Sequence, residues 1–195
     1  MTPPAHCKQT RSGVAFDVLA PTLDMIRIED IAHHLACINR YTGAAPEPFS
    51  VAQHSVLVSL VAERCSSGDP IAREAALFGL LHDAAEAYLN DIARPVKRLP
   101  QFAFYRQLED DLQAVIYARF GLPVEVPSVV KFADDVLAAS EAAKFFPPET
   151  RPFPWDLPTA VVAEDLDLDP WPWHEAKRRF LARFEALAGS LGVAA

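Results

Sequence analysis

The chain has 195 residues, of which 51% are hydrophobic and 23% are charged, and this composition predicts one globular domain. The formal net charge of -8 at pH 7 excludes a broad basic surface for duplex DNA or RNA. A small anionic substrate is still compatible with this charge, because a metal ion can dominate the potential of one pocket. The cysteines form no CxxC pair, which predicts free thiols, and no apolar stretch approaches the ~18 residues of a membrane span, so we expect a cytoplasmic protein.

The first part of the chain is predicted to contain an irregular lead-in and two helices. Residues 1–24 show no clear periodicity. Apolar residues at helical spacing then predict an amphipathic helix over about residues 28–39, and a loop separates it from a second helix over about residues 51–64. Ser50 begins a Ser-x-x-Gln sequence, the form of a capping box, and is therefore the predicted N-cap of the second helix.

The rest of the chain is predicted to be helical as well. Four further helices are expected over about residues 71–89, 102–120, 127–146 and 173–191. Residues 147–172 are rich in proline and tryptophan and are expected to form an extended connection. No strand-like alternation persists, so the predicted fold is all-α, with five or six main helices in one compact bundle over residues 1–195.

The strongest chemical signal lies at the end of an apolar run. Residues 76–81 are all apolar or glycine, and they are followed directly by His82 and Asp83, with Glu86 one helical turn later. Polar groups beside a core-like run destabilise the fold unless they have partners. A metal ion is a suitable partner because imidazole and carboxylate are both good ligands. A core histidine that is satisfied by hydrogen bonds, beside a solvated aspartate, is the common alternative explanation.

Two more residues strengthen the metal hypothesis. His54 lies in the first turn behind Ser50, at a position where an apolar residue is usual, although a lone histidine there is more often structural. Asp134 shares a helical face with Val130 and Leu137 and is therefore expected to point inward. A buried carboxylate requires a cation, so Asp134 is a candidate ligand as well.

The order His, His-Asp and Asp on three separate helices resembles the HD superfamily of phosphohydrolases. More narrowly, the chain is similar to the bacterial 5'-deoxynucleotidase branch and to the related small deoxynucleoside triphosphate triphosphohydrolases. The matching segments are Ile38-Asn-Arg-Tyr41, Ser50-Val-Ala-Gln-His-Ser55, His82-Asp-Ala-Ala-Glu86, Asp91-Ile-Ala-Arg-Pro-Val-Lys97 and Val130-Lys-Phe-Ala-Asp134. Each segment alone is weak, but together they occur in the family's order over about residues 26–146.

The resemblance implies a role for particular side chains. The metal ligands that it implies are His54, His82, Asp83 and Asp134. Glu86 and Asp91 would activate the attacking water and manage protons, Arg40 would bind phosphate, and Tyr41 would line the nucleoside side of the pocket. Lys97 is a further candidate for phosphate binding, although a solvated surface charge explains Lys97 and Arg40 without the family. The family also suggests a homodimer.

The predicted activity is the hydrolysis of deoxynucleoside 5'-monophosphates to nucleoside and phosphate, with one divalent metal ion. The segment between Asp83 and Asp134 contains no histidine, which disfavours a two-metal site, and the sequence does not distinguish between Mn, Co, Mg, Zn, Fe and Ni. One ion can neutralise phosphoryl oxygens and acidify a water molecule. Two alternatives stay open: removal of triphosphate from a deoxynucleoside triphosphate, and a nucleotide-sensing module that binds metal without turnover.

Overall fold

The computed structural model describes residues 5–147 and 166–192, and these residues are mainly helical. The helices are α1 (Ile28–Cys37), α2 (Val51–Cys65), α3 (Ala72–Leu81), α4 (Glu86–Leu89), α5 (Arg94–Lys97), α6 (Ala103–Arg119), α7 (Ser128–Phe145) and α8 (Trp173–Leu191). Two of them, α4 and α5, have four residues each. The predicted all-α architecture is therefore confirmed. Of the predicted connection over residues 147–172, residues 148–165 lie outside the described residues, and residues 166–172 contain no helix or strand.

A small β-hairpin precedes the helices. It consists of two antiparallel strands, β1 (Cys7–Gln9) and β2 (Ala15–Asp17). The prediction of an irregular lead-in is wrong here, because strands of three residues are too short to show an alternating pattern in the sequence. The hairpin is fixed to α4: the Phe16 ring stacks on Tyr88 with centroids 4.1 Å apart, and Lys8 Nζ donates to the Tyr88 carbonyl at 2.8 Å.

Helix α2 lies at the centre of the bundle. It packs against α1, α3, α7 and α8, and most of its residues are buried, including His54 and Ser59. Gly79 allows α3 to approach it closely, because a Cβ atom at this position would lie 3.1 Å from the Cα of Ser59. The close approach brings the end of α3 near the first turn of α2. None of the described helices is long and apolar enough to cross a membrane.

The helix predicted over residues 71–89 is interrupted, which corrects the sequence analysis. Helix α3 ends at Leu81, and residues 82–85 form a turn before α4 begins. The side chain of Gln113, from α6, replaces the missing helical hydrogen bonds: its amide donates to the Leu81 carbonyl at 2.7 Å and accepts from the Ala85 N–H at 3.0 Å. Because these groups have partners, the chain can turn here without leaving buried backbone atoms unsatisfied.

The predicted cap of α2 is confirmed, but only half of the capping box forms. The Ser50 hydroxyl accepts from the Gln53 N–H at 3.2 Å. The Gln53 side chain does not return to Ser50. It instead donates to the Asp169 carbonyl at 2.8 Å and accepts from the Trp171 N–H at 2.8 Å. Gln53 therefore attaches the segment that leads into α8 to the central helix.

Candidate metal centre

Four side chains that the sequence predicts as metal ligands converge at one end of α2. His54 comes from the first turn of α2, His82 and Asp83 follow α3, and Asp134 lies in the second turn of α7. His54 Nε2 lies 3.2 Å from Asp134 Oδ1 and 3.9 Å from Asp83 Oδ2. His82 Nε2 lies 3.2 Å from Asp83 Oδ2 and 3.9 Å from Asp134 Oδ1. The two rings thus face the same pair of carboxylates.

The outer nitrogen of each ring is held by a hydrogen-bond acceptor. His54 Nδ1 lies 2.7 Å from Glu141 Oε1, and His82 Nδ1 lies 2.8 Å from the Gly79 carbonyl oxygen. Both acceptors assign the proton of a neutral ring to Nδ1, which leaves the lone pair of Nε2 directed into the cluster. Metal-bound histidines are commonly oriented by such an outer partner.

The inner nitrogens differ from the outer ones in their hydrogen bonding. In the part of the chain that the structure describes, both His54 Nε2 and His82 Nε2 are buried and lack a hydrogen bond. Buried polar atoms normally have partners, so two orphaned atoms beside two carboxylates point to a cation. His54, His82 and Asp134 form a group that can hold a metal ion, with ligand atoms within 4.8 Å of one another. Asp83 lies outside this group, although its carboxylate contacts His82.

The electrostatics of the cluster agree with a cation site. Burial by itself would raise the pKa values of Asp83 and Asp134, but the neighbouring His82 and His54 respectively outweigh burial and lower both values. Burial by itself would lower the pKa of His82, but Asp83 outweighs it and raises the pKa to about 9. Both aspartates are therefore ionised at neutral pH. A proton and a metal ion compete for His82 Nε2, so binding of a metal would release protons.

Glu86 lies beside the cluster and has one oxygen without a partner. Its Oε1 accepts from Lys97 Nζ at 3.2 Å, whereas its Oε2 is buried and, among the described residues, makes no hydrogen bond. Burial raises the pKa of Glu86, and the charges of Asp83 and Asp91 raise it further. The pKa of the half-buried Asp91 is also raised, mainly by burial. Two carboxyl groups with raised pKa values beside the candidate metal ligands are suited to proton transfer.

Arg40 and Tyr41 reach the cluster from the other side. They begin a tight turn, Arg40–Gly43, between α1 and α2. Arg40 Nε donates to Glu141 Oε2 at 2.9 Å, and Arg40 Nη1 lies 3.8 Å from Asp83 Oδ2. Burial acts to lower the pKa of Arg40, but Glu141 overrides it and raises the pKa above its usual value. Arg40 is therefore a permanent cation at the edge of the metal group.

Lys97 lies between two carboxylates. It contacts Glu86 Oε1 at 3.2 Å and Glu109 Oε1 at 2.6 Å. These two contacts fix the ammonium group beside Glu86, and Glu86 and Glu109 help to raise the pKa of Lys97 against the effect of burial. In the structure, Lys97 is therefore the cation that orients Glu86.

Two residues of the site were missed by the sequence reasoning. Glu141 supports both His54 and Arg40, and Gln113 supports the turn that carries His82. A signal for Glu141 was present, because Glu141 follows Asp134 by seven residues and therefore lies on the same face of α7. Gln113 gave no such signal, because its contact with the turn depends on how α6 packs.

Comparison with known proteins finds two relatives that are named as uncharacterized proteins. No model of a protein family matches the sequence. The chain is 37% identical over 188 residues to the uncharacterized protein RCAP_rcc00048 of Rhodobacter capsulatus, and the match covers 92% of this chain and 94% of that protein. It is 38% identical over 133 residues to the uncharacterized protein YfdR of Escherichia coli K12, and the match covers 68% of each chain. The chain therefore belongs to the family that includes RCAP_rcc00048 and YfdR.

Proposed function

We propose that the chain is a metal-dependent phosphohydrolase of the HD superfamily that removes phosphate from deoxynucleoside 5'-monophosphates. The observation that carries the proposal is the pair of buried Nε2 atoms of His54 and His82, which have no hydrogen bond within the described part of the chain. They face the carboxylates of Asp83 and Asp134, in the His, His-Asp, Asp order of that superfamily. Buried polar atoms in a protein core normally have hydrogen-bond partners, so this arrangement favours a bound cation.

In this proposal one divalent ion is held by His54, His82, Asp83 and Asp134. Asp83 is included because its Oδ2 lies 3.2 Å from His82 Nε2 and 3.9 Å from His54 Nε2, on the inner side of both rings. Such an ion, when bound, supplies charge neutralisation at the phosphoryl oxygens and makes a water molecule more acidic.

Arg40 positions the phosphate of the substrate. Its Nε is engaged by Glu141, so the guanidinium is fixed, and its remaining N–H groups can form a bidentate contact with phosphate oxygens. Tyr41 follows Arg40 in the same turn and is a candidate for contact with the nucleoside. Lys97 does not contact the substrate in this proposal and contributes through its ion pair with Glu86.

Glu86 and Asp91 manage the protons. Glu86 Oε2 accepts a proton from the attacking water as the new bond to phosphorus forms. The bond between phosphorus and the 5'-oxygen then breaks, and Asp91 is suited to protonate that oxygen because burial raises its pKa. The products are a nucleoside and inorganic phosphate; Glu86 then releases its proton to solvent and Asp91 takes one up, so water supplies the atoms gained by both products.

Product analysis of the purified protein tests the proposal. We would supply Mn²⁺, Co²⁺ or Mg²⁺ and compare deoxynucleoside mono- and triphosphates with their ribose counterparts. Inorganic phosphate from the deoxynucleoside monophosphates is the expected product. Release of triphosphate would instead identify a triphosphohydrolase, and bound metal without any product would indicate a sensing module.

The variant Glu86→Gln separates binding from turnover. We expect metal binding to persist while kcat falls by about 10²- to 10⁴-fold, because the amide cannot accept the proton from water. Glu109→Gln is the matched control: it removes the other carboxylate that contacts Lys97 and leaves Glu86 in place. A similar loss of kcat in both variants would assign the effect to Lys97, and unchanged turnover in Glu86→Gln would remove Glu86 from the mechanism.

A further inference from the structure

Glu141 is a fully buried carboxylate at the base of the metal group. Its side chain is 0% exposed, and it accepts hydrogen bonds from three side chains on two other elements. A buried charge of this kind is costly unless a cation and further donors compensate it. Here Arg40 supplies the cation, and the carboxylate connects groups that approach from opposite sides.

The two oxygens of Glu141 serve different parts of the site. Oε1 receives Nδ1 of His54 at 2.7 Å, whereas Oε2 receives both Nε of Arg40 at 2.9 Å and the hydroxyl of Tyr41 at 2.7 Å. One oxygen therefore orients a metal-ligand ring, and the other holds the turn that carries the phosphate-binding arginine.

The turn that Oε2 holds has an unfavourable backbone. Tyr41 and Thr42 adopt left-handed conformations, with φ values of 58° and 54°, and Gly43 continues with a φ of 76°. A left-handed conformation is unfavourable for a residue other than glycine, so the surrounding contacts must fix it. The side-chain bonds from Arg40 and Tyr41 to Glu141 are such contacts.

We propose that Glu141 is a positioning residue that joins the metal side of the site to its substrate side. It sets the tautomer of His54 through Oε1 and fixes the Arg40–Gly43 turn through Oε2. The inference rests on the proposed function, because it assigns the turn to the substrate. Its first half concerns metal binding alone and can be tested without any substrate.

The variant Glu141→Gln probes this role because all three partners are donors. A carboxylate accepts from each of them, whereas an amide has one oxygen and one NH₂ donor. If the amide oxygen stays with Arg40 and Tyr41, the NH₂ group faces His54 Nδ1, and the ring proton moves to Nε2. The ring then loses its ligand lone pair, so we expect affinity for Mn²⁺ to fall by about 10- to 100-fold.

Two measurements on the full chain report this change. Calorimetric titration gives the affinity for Mn²⁺, and ¹⁵N NMR of the histidine rings, before metal is added, gives the tautomer of His54. We expect the proton on Nδ1 in the natural chain and on Nε2 in Glu141→Gln. Ser140→Ala is the matched control, since Ser140 is the neighbouring buried residue, donates only to the Val136 carbonyl, and should leave both measurements unchanged.

Tyr41→Phe tests the other half of the inference and does not depend on Glu141→Gln folding. It removes one donor from Oε2 and leaves Oε1 with His54. We expect an increase in KM for the monophosphate with an unchanged affinity for Mn²⁺. A weaker affinity for Mn²⁺ in Tyr41→Phe would overturn the division between the two oxygens.

The outcomes separate this inference from the proposed function. If the natural chain binds no metal ion, the proposed metal centre itself is wrong. If it binds Mn²⁺ and a folded Glu141→Gln binds it equally well, only the role of Glu141 is wrong. If Glu141→Gln does not fold, the tautomer in the natural chain decides, and a proton on Nε2 of His54 would overturn the inference.

Discussion

Two groups of histidine and acidic side chains occur in the described part of this molecule, and they differ in how their atoms are satisfied. One is the buried group of His54, His82 and Asp134, and the other is the hairpin group of His6, Cys7 and Asp17. In both groups the potential ligand atoms lie within 4.8 Å of one another. The shortest distance from histidine to carboxylate is also the same, 3.2 Å. Proximity alone therefore does not distinguish them.

The hairpin group is satisfied without a metal ion. His6 is 41% exposed, and its Nε2 lies 3.2 Å from Asp17 Oδ2, while Asp17 Oδ1 accepts from the backbone N–H groups of Leu19 and Ala20 at 2.9 and 3.2 Å. Water can complete the remaining bonds of the exposed ring. The pair therefore stabilises a turn at the end of β2.

In the buried group, the outer and the inner ring nitrogens differ. Glu141 and the Gly79 carbonyl hold the outer nitrogens of His54 and His82, whereas the inner nitrogens are buried and, among the described residues, have no hydrogen bond. The difference teaches that a candidate metal site is better recognised by buried atoms that the fold leaves without hydrogen bonds than by the distances between ligand types.

The largest expected effect comes from removing a carboxylate of the buried group. Asp134→Ala should abolish binding of Mn²⁺ and lower kcat/KM by at least about 10³-fold, because several kcal/mol of charge stabilisation depend on the ion. Metal content and phosphate release measure both effects. Asp135→Ala is the matched control, since Asp135 pairs with Lys131 on the neighbouring face of α7. Full metal binding in Asp134→Ala would show that the ion does not bind at the buried group.

A smaller effect is expected from the packing that brings His54 and His82 together. In Gly79→Ala the new Cβ would lie 3.1 Å from Ser59 Cα and 3.2 Å from Ser59 N, and backbone atoms cannot swing aside. We expect the free energy of unfolding to fall by about 1–3 kcal/mol in urea denaturation, with weaker Mn²⁺ binding because α3 moves away from α2.

Gly189→Ala is the matched control for this packing prediction. Gly189 lies in α8, and a Cβ atom there would have no neighbour within 4 Å among the residues that the structure describes. Alanine should stabilise this helix by about 0.5–1 kcal/mol without changing metal affinity. An unchanged free energy of unfolding and an unchanged Mn²⁺ affinity in Gly79→Ala would show that close contact between α2 and α3 is not needed for metal binding.

The sequence predicts the parts of this site that depend on local pattern. Helical periodicity places His54 behind the Ser50 cap and Asp134 on the inner face of α7, and the structure confirms both positions. Both helical positions are encoded within a few residues of each ligand. The convergence of the candidate ligands is what the family resemblance implies, and the structure brings together His54 from α2, His82 and Asp83 from the turn after α3, and Asp134 from α7.

The features that the sequence does not reveal depend on tertiary contacts. The end of α3 at Leu81 requires Gln113, which is 32 residues away and comes from another helix. The position of Lys97 beside Glu86 likewise depends on a second contact, with Glu109 from α6. Neither local propensity nor periodicity carries information about such distant partners, so the turn at residues 82–85 is read from the sequence as continuous helix.

The smallest effect is expected at the hairpin group, and a metal titration there tests most directly whether the two groups differ. Titration of the natural chain with Mn²⁺ should give one ion per chain, and Cys7→Ser or His6→Gln should change neither the stoichiometry nor kcat/KM. The reason is that Asp17 Oδ1 already accepts two backbone N–H groups, that the exposed His6 ring is open to water, and that Mn²⁺ favours oxygen ligands over a thiolate. An ion that is lost in Cys7→Ser but retained in Asp134→Ala would mean that the hairpin group binds metal in spite of its satisfied atoms. Unpartnered atoms would then no longer be the feature that separates the two groups.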